Sequence, residues 1–160
     1  MATIYNRSVT STVYVVNGGR VLLHLHKKYN TWFPLGGHIE ADEFPHEAAI
    51  REVSEEAGLK VTLLETEFAP PIELARVERV PSPFCLLYEG IGSAEEFLDF
   101  IFIAVTEETK PHPSEKESRV FHWFTRDELL TGDLKPHIRN TALAVLDHCA
   151  TRTECRKASE

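Results

Sequence analysis

The chain has 160 residues, with 17 Lys and Arg against 25 Asp and Glu, giving a net charge of −8, and it holds three cysteines. That length buries about two-thirds of the unfolded surface in one domain, and the acidity argues against a general nucleic-acid backbone binder, which needs clustered Lys and Arg. Cys85, Cys149 and Cys155 are odd in number and contain no CxxC pair, so neither a disulfide framework nor a zinc knuckle is indicated.

Chain order predicts mostly sheet at first. Val9 to Val16 and Arg20 to Lys27 read as two strands joined around Asn17-Gly18-Gly19, a strong hairpin signal. An extended segment, Trp32 to Leu35, leads into Gly36-Gly37 and an acidic helix. Asp42 is the expected N-cap of that helix, Pro45 sits in its first turn with Glu43 and Glu47 near the positive end of the dipole, and Gly58 supplies the stop. Lys60 to Phe68 resumes as strand, and Pro70-Pro71 opens a less regular stretch. Phe84 to Ile91 and Phe97 to Val105 are two further strands around Gly90 and Gly92. A charged loop, Thr106 to Ser118, precedes a strand from Val120 to Phe124. Thr125 and Glu128 form a capping box for the helix that starts TRDELL, and a last helix runs from about Pro136 to Thr151. Mixed strands flanked by helices imply an α/β fold, an α/β/α sandwich, in a single domain spanning 1–160. The start, MATIYNRSVTSTVYVV, has no secretory pattern and the apolar runs are too short for a membrane span, so a cytoplasmic location is expected.

The acidic helix carries the chemistry. At about 100° per residue, Glu52, Glu55 and Glu56 fall within an arc of about 100°, while Ile50, Val53 and Ala57 cluster on another side. Carboxylates this close repel one another, by a few tenths of a kcal/mol per pair. Arg51 screens part of that charge. Crowded hard oxygen ligands suit Mg²⁺ or Mn²⁺, which keep several waters and bind substrate phosphate.

As a pattern, the stretch 37–59 reads Gly37, five residues, Glu43, seven residues, then Arg51-Glu52-Val53-Ser54-Glu55-Glu56-Ala57-Gly58-Leu59. This resembles the signature of the Nudix (MutT-like) hydrolases at every fixed position, and Gly36 matches the paired glycine whose carbonyl can join the metal shell. The resemblance implies that Glu55 and Glu56 bind metal, that Glu52 binds metal or orients and deprotonates water, and that Arg51 holds the arrangement through a salt bridge; Glu43 is then structural. It also implies a further acidic ligand from the loop before the late strand, where Glu117 is preferred over Glu115. Lys27, Lys28 and His38 are the candidate phosphate contacts, each weighed against a plain surface role.

His24 and His26 share a strand face; without a third convergent ligand they are read as packing or surface residues rather than a zinc site. Trp32, Phe84, Tyr88, Phe102 and Trp123 include candidates for stacking on a base, although aromatic residues in strands are more often core. The implied activity is hydrolysis of a diphosphate linkage, foremost in a nucleoside triphosphate or its modified form, to monophosphate and pyrophosphate. Nucleotide sugars, ADP-ribose and dinucleoside polyphosphates compete as substrates. A non-catalytic nucleotide sensor is the alternative of another class, and an isoprenoid diphosphate isomerase would need Cys and Glu contexts not recognisable around Cys85. A homodimer is expected by family analogy only, and residues 67–83 are read as a substrate lid or part of a dimer contact.

Overall fold

The computed structural model describes residues 6–65, 78–117 and 120–155. Eight described strands form one mixed sheet: β1 (Asn6–Asn17), β2 (Arg20–His26), β3 (Thr31–Phe33), β4 (Leu35–His38), β5 (Thr62–Leu63), β6 (Cys85–Glu89), β7 (Glu95–Val105) and β8 (Phe121–Phe124). The path β3-β2-β1-β7-β5 is its spine, with β4 against β1, β6 against β7 and β8 against β2. β1 runs parallel to β7 over its whole length, from Asn6↔Glu95 to Val16↔Val105. The hairpin closes at Asn17↔Arg20, as the Asn-Gly-Gly signal requires.

Alternation sends the two sets of strand residues to opposite layers. Val13, Val15, Leu22, Leu35, Phe102 and Ala104 pack against Ala49, Val53 and Ala57 of α1 (Pro45–Ala57). On the other face Tyr14, Val16, Val21, Leu23, Ile101 and Ile103 meet α2 (Arg126–Thr131) and α3 (Pro136–Ala150) through Leu129, Ile138, Ala142 and Val145. The α/β/α sandwich expected from the sequence is therefore the observed architecture. A 3₁₀ turn, Thr153–Cys155, follows α3.

Local signals held at several ends. Thr125 caps α2, its hydroxyl accepting from the Glu128 N–H while the Glu128 carboxylate accepts from the Thr125 N–H at 2.8 Å. Gly58 ends α1 in the left-handed conformation, φ 65°, and its N–H donates to the Ser54 carbonyl.

Other expectations need correction. Asp42 is not the N-cap of α1: it lies upstream with a positive φ of 65°, and Phe44 occupies the cap position. The cap is closed instead by Glu47, whose carboxylate accepts from the Phe44 N–H at 2.8 Å. Ile50 is not on the dry face but 45% exposed, because the buried stripe follows Ala49, Val53 and Ala57 at steps of four. Pro34 divides the expected segment Trp32 to Leu35 into β3 and β4, which pair with different neighbours. The strand expected over 60–68 is shorter: of the described residues 60–65, Thr62–Leu63 are strand and the others are not; residues 66–77, with most of the segment read as a lid or dimer contact, lie outside the described residues.

Candidate active site

Arg51 organises the acidic face of α1. Its guanidinium donates through Nε to Glu43 Oε1 at 2.8 Å and through Nη2 to Glu43 Oε2 at 3.0 Å, a two-pronged pairing. Nη1 reaches Glu52 Oε1 at 2.8 Å and Glu55 Oε2 at 3.3 Å, and Nη2 also donates to the His38 carbonyl at 3.1 Å. Hydrogen bonding to Glu43, ahead of the other contacts, raises the Arg51 pKa and lowers that of Glu43. Glu43 precedes the helix and holds the arginine in place.

The second anchor is the double glycine of β4. The Gly36 N–H donates to Glu56 Oε2 at 2.9 Å, which points this carboxylate at the strand rather than at solvent. Gly37 lies against Glu52: a Cβ added there would come within 2.7 Å of the Glu52 carboxyl carbon. Gly36 is equally constrained on its other side, since its Cβ would approach Thr12 Cα to 2.8 Å with φ at +149°. Both glycines are thus close approaches, one to the β1 backbone and one to a carboxylate.

Electrostatics follow from this packing. Burial pushes Glu56 up to about 8, against the lowering effect of the Gly36 N–H, and the charges of Glu52, Glu117 and Glu55 add to the rise. Glu52, 13% exposed, is also raised by burial, with Arg51 opposing. Glu55 stays 56% exposed. One guanidinium shared by three carboxylates, with Glu56 beside them, leaves an excess of negative charge among hard oxygen donors, and those donors, with the Gly36 carbonyl, fit a divalent cation. Among the described residues no three Asp, Glu, His or Cys side chains converge as a ready-made metal cage; Arg51 takes up Glu52 and Glu55 instead.

The remaining sequence candidates divide. Glu117 is half-buried, and its charge acts on both Glu56 and His26, so its loop faces the glutamates; Glu115 is exposed. Lys27 ties down that same loop, its Nζ donating to the Lys116 carbonyl at 2.8 Å. The Lys28 ammonium sits 5.2 Å from the Tyr29 ring centroid. His38 offers its carbonyl to Arg51 while its ring meets Phe97 edge-on at 6.0 Å. His24 is 5% exposed and stacks on Phe121, with its Nδ1 buried and unpartnered, and burial lowers its pKa to about 4. Among the aromatic residues, Phe102 is 1% exposed and belongs to the core beneath α1, Trp32 and Phe84 pack against the core on the opposite face of the sheet, and Trp123 donates to the Thr109 carbonyl; Tyr88 is 47% exposed.

Asp99 was not singled out by sequence, yet it is 5% exposed. The signal was available: Asp99 shares alternation with Phe97, Ile101 and Ile103, so an acid stands where the strand FLDFIFIAV turns inward.

Comparison with known proteins agrees with this geometry. The NUDIX domain family model matches residues 6–145. A Nudix-family hydrolase from Clostridium perfringens is 34% identical, with a TM-score of 0.78 over 89% of this chain and 98% of its own. The fold is also that of a MutT Nudix hydrolase from Burkholderia pseudomallei (21% identity, TM-score 0.62, 89% of this chain and 97% of that one) and a MutT protein from Methanosarcina mazei Go1 (14%, 0.68, 94% and 100%). The chain belongs to the Nudix family and is one of its hydrolases.

Proposed function

We propose that the protein hydrolyses a nucleoside triphosphate, or an oxidised or modified form, to the monophosphate and pyrophosphate. The observation that carries this reading is the Arg51-centred glutamate set, with Glu56 held against the Gly36 N–H in a desolvated position. Nudix hydrolases as a family use a divalent metal. Here Mg²⁺ or Mn²⁺ would be held by Glu52, Glu55, Glu56, the Gly36 carbonyl and Glu117, and when bound it would neutralise phosphate charge.

A diphosphate linkage resists attack because its oxygens are anionic, so the attacking water must be placed in line and lose its proton. Glu52 takes the role of orienting that water and accepting the proton; burial that favours its protonated form suits a general base. Arg51 fixes the Glu52 and Glu55 carboxylates, and the pairing with Glu43 keeps the guanidinium from turning onto substrate phosphate. Lys28 and His38 contact the phosphates, and Lys27 secures the Glu117 loop. The protein acts in the cytoplasm on a small-molecule nucleotide.

The test is a panel of nucleoside triphosphates, nucleotide sugars, ADP-ribose and dinucleoside polyphosphates, incubated with Mg²⁺ or Mn²⁺ and wild type, Glu55→Gln or Glu56→Gln. Cleavage of triphosphates to monophosphate, lost in both variants, is the expected result. Failure to cleave any compound, with nucleotide binding retained, would make the chain a sensor.

A further inference from the structure

Two thiols meet at the C-terminal end of α3, on the sheet face opposite α1. Cys149, in the last turn of α3, is 3% exposed, and Cys155, at the end of the 3₁₀ turn, is 4% exposed. Both belong to the core cluster of Leu129, Ile138 and Val145. The turn between them folds the chain back on the helix. The Arg152 N–H donates to the Cys149 carbonyl at 3.0 Å, and Arg152 Nη1 donates to the Glu65 carbonyl at 2.7 Å. The two cysteine side chains hydrogen-bond one another. A buried cysteine ordinarily packs as a small apolar group whose sulfur is inert. Here each sulfur instead has a second sulfur for a neighbour.

The pair is also within reach of solvent. A cavity of about 390 Å³ is lined by Gly18 and Gly19 of the hairpin, by Arg126 and Asp147, and by both cysteines. Gly19, Arg126 and Asp147 are exposed, and the Arg126 guanidinium pairs with the Asp147 carboxylate across the rim. The cavity therefore runs from a polar mouth to a floor that holds two thiols, with room for a water-sized polar molecule. Burial and the neighbouring thiol raise the Cys149 pKa, with the Arg152 charge opposing, so the resting pair is protonated and slow to react.

We infer that Cys149 and Cys155 are a redox-sensitive pair that a small hydroperoxide oxidises to an intramolecular disulfide, locking the turn after α3 onto the helix. In the first step one thiol gives up its proton and its sulfur attacks a peroxide oxygen. The O–O bond breaks, the departing hydroxide takes the proton as water, and the sulfur becomes a sulfenic acid. The second thiol then attacks that sulfur: the S–S bond forms, the S–O bond breaks, and hydroxide leaves with the second proton as another water. Two thiols lose two electrons in all, and one peroxide gains them. A thiol reductant reverses the change by exchange. In a reducing compartment the pair rests as thiols, and a disulfide formed there reports oxidant. The bond closes residues 149–155 into a short ring and so restricts the unfolded chain. The cavity lies across the sheet from the glutamates, so the inference stands independently of the hydrolase reading.

The test uses the full wild-type chain, reduced, desalted, exposed to hydrogen peroxide, alkylated under denaturing conditions and digested with trypsin without reductant. Trypsin cuts after Arg139, Arg152 and Arg156, so the disulfide joins peptides 140–152 and 153–156 in one species that dithiothreitol separates. That species is expected to dominate the mass spectrum, with Cys85 alkylated and the thiol count falling from three to one. The oxidised protein should melt roughly 5 °C higher, and dithiothreitol should cancel the rise. Cys85→Ser should behave as wild type does. Cys155→Ser, which lacks the second thiol, should show no rise and carry sulfenic or sulfinic acid at Cys149. If that variant does not fold, the wild-type peptide map decides alone. Three alkylated thiols after peroxide, sulfinic acid in place of the link, a disulfide to Cys85 or between chains, or an unchanged melting temperature overturns the inference.

Discussion

Glu56→Gln is expected to stabilise the metal-free protein while abolishing metal-dependent cleavage. The folded protein holds this carboxyl at about 8 against an ordinary 4.5, chiefly by burial. A carboxyl raised on folding leaves stability intact below the unfolded value and removes it as pH climbs toward the folded value. At pH 7 the unfolded chain has released this proton and the folded chain has mostly kept it, a difference of about 3 kcal/mol against folding. At pH 4.5 the same calculation gives about 0.4 kcal/mol. Gln keeps the shape and can still accept from the Gly36 N–H, so the variant removes the titration and little else. Denaturant unfolding in EDTA at pH 4.5, 7 and 8.5 measures the difference between the two proteins, which should open with pH. Adding Mg²⁺ should then stabilise wild type by mass action and leave Glu56→Gln unmoved. A variant no more stable than wild type at pH 7, or a difference independent of pH, would refute the claim that burial of an uncompensated carboxyl shapes this site.

Three other outcomes follow from single contacts. Gly37→Ala drives a methyl into the Glu52 carboxylate, so steady-state assays should show a loss of about 100-fold in kcat/KM, with a melting temperature close to wild type because the displaced atoms end a side chain. Gly36→Ala instead meets the backbone of Ser11 and Thr12 at a φ of +149° and should lower stability by several kcal/mol in urea titration. His24→Leu isolates the buried imidazole: its pKa is depressed to about 4, so wild type should lose about 2 kcal/mol more than the variant between pH 8 and pH 5, as the unfolded chain takes up a proton that the folded one refuses. An identical acid slope in the two proteins would exclude that linkage.

Most of the fold was legible because its signals are local. Asn17-Gly18-Gly19 fixes a hairpin register, Thr125 with Glu128 fixes a helix start, and alternation in FIFIAV fixes which residues of β7 enter the core. Misreadings came where a long-range contact outweighs a local preference. Asp42 has a good capping side chain, but the pairing of Glu43 with Arg51 and of Glu47 with the Phe44 N–H moves the helix start past it. The arc of Glu52, Glu55 and Glu56 was also right, whereas its relation to the core was not visible. Only the approach of Gly36 and Gly37 shows that Glu56 and Glu52 turn toward β4 while Glu55 turns to water.

That asymmetry explains how one helix face supports different roles with identical side chains. Glu43 and Glu47 end in hydrogen bonds that satisfy the chain itself, the first with Arg51 and the second with the helix cap. Glu56 is held by a single N–H in a desolvated place, Glu52 is held among the described cations by Arg51, and Glu55 is more than half exposed. Repulsion within this second group is not cancelled inside the described chain, since Arg51 divides its charge among Glu43, Glu52 and Glu55. An apolar core residue in place of Glu56 would pack at lower free energy. The sequence therefore concentrates its local conflict at the one place where binding a cation and a phosphate can relieve it, which is the pattern expected when local rules fail at a functional site.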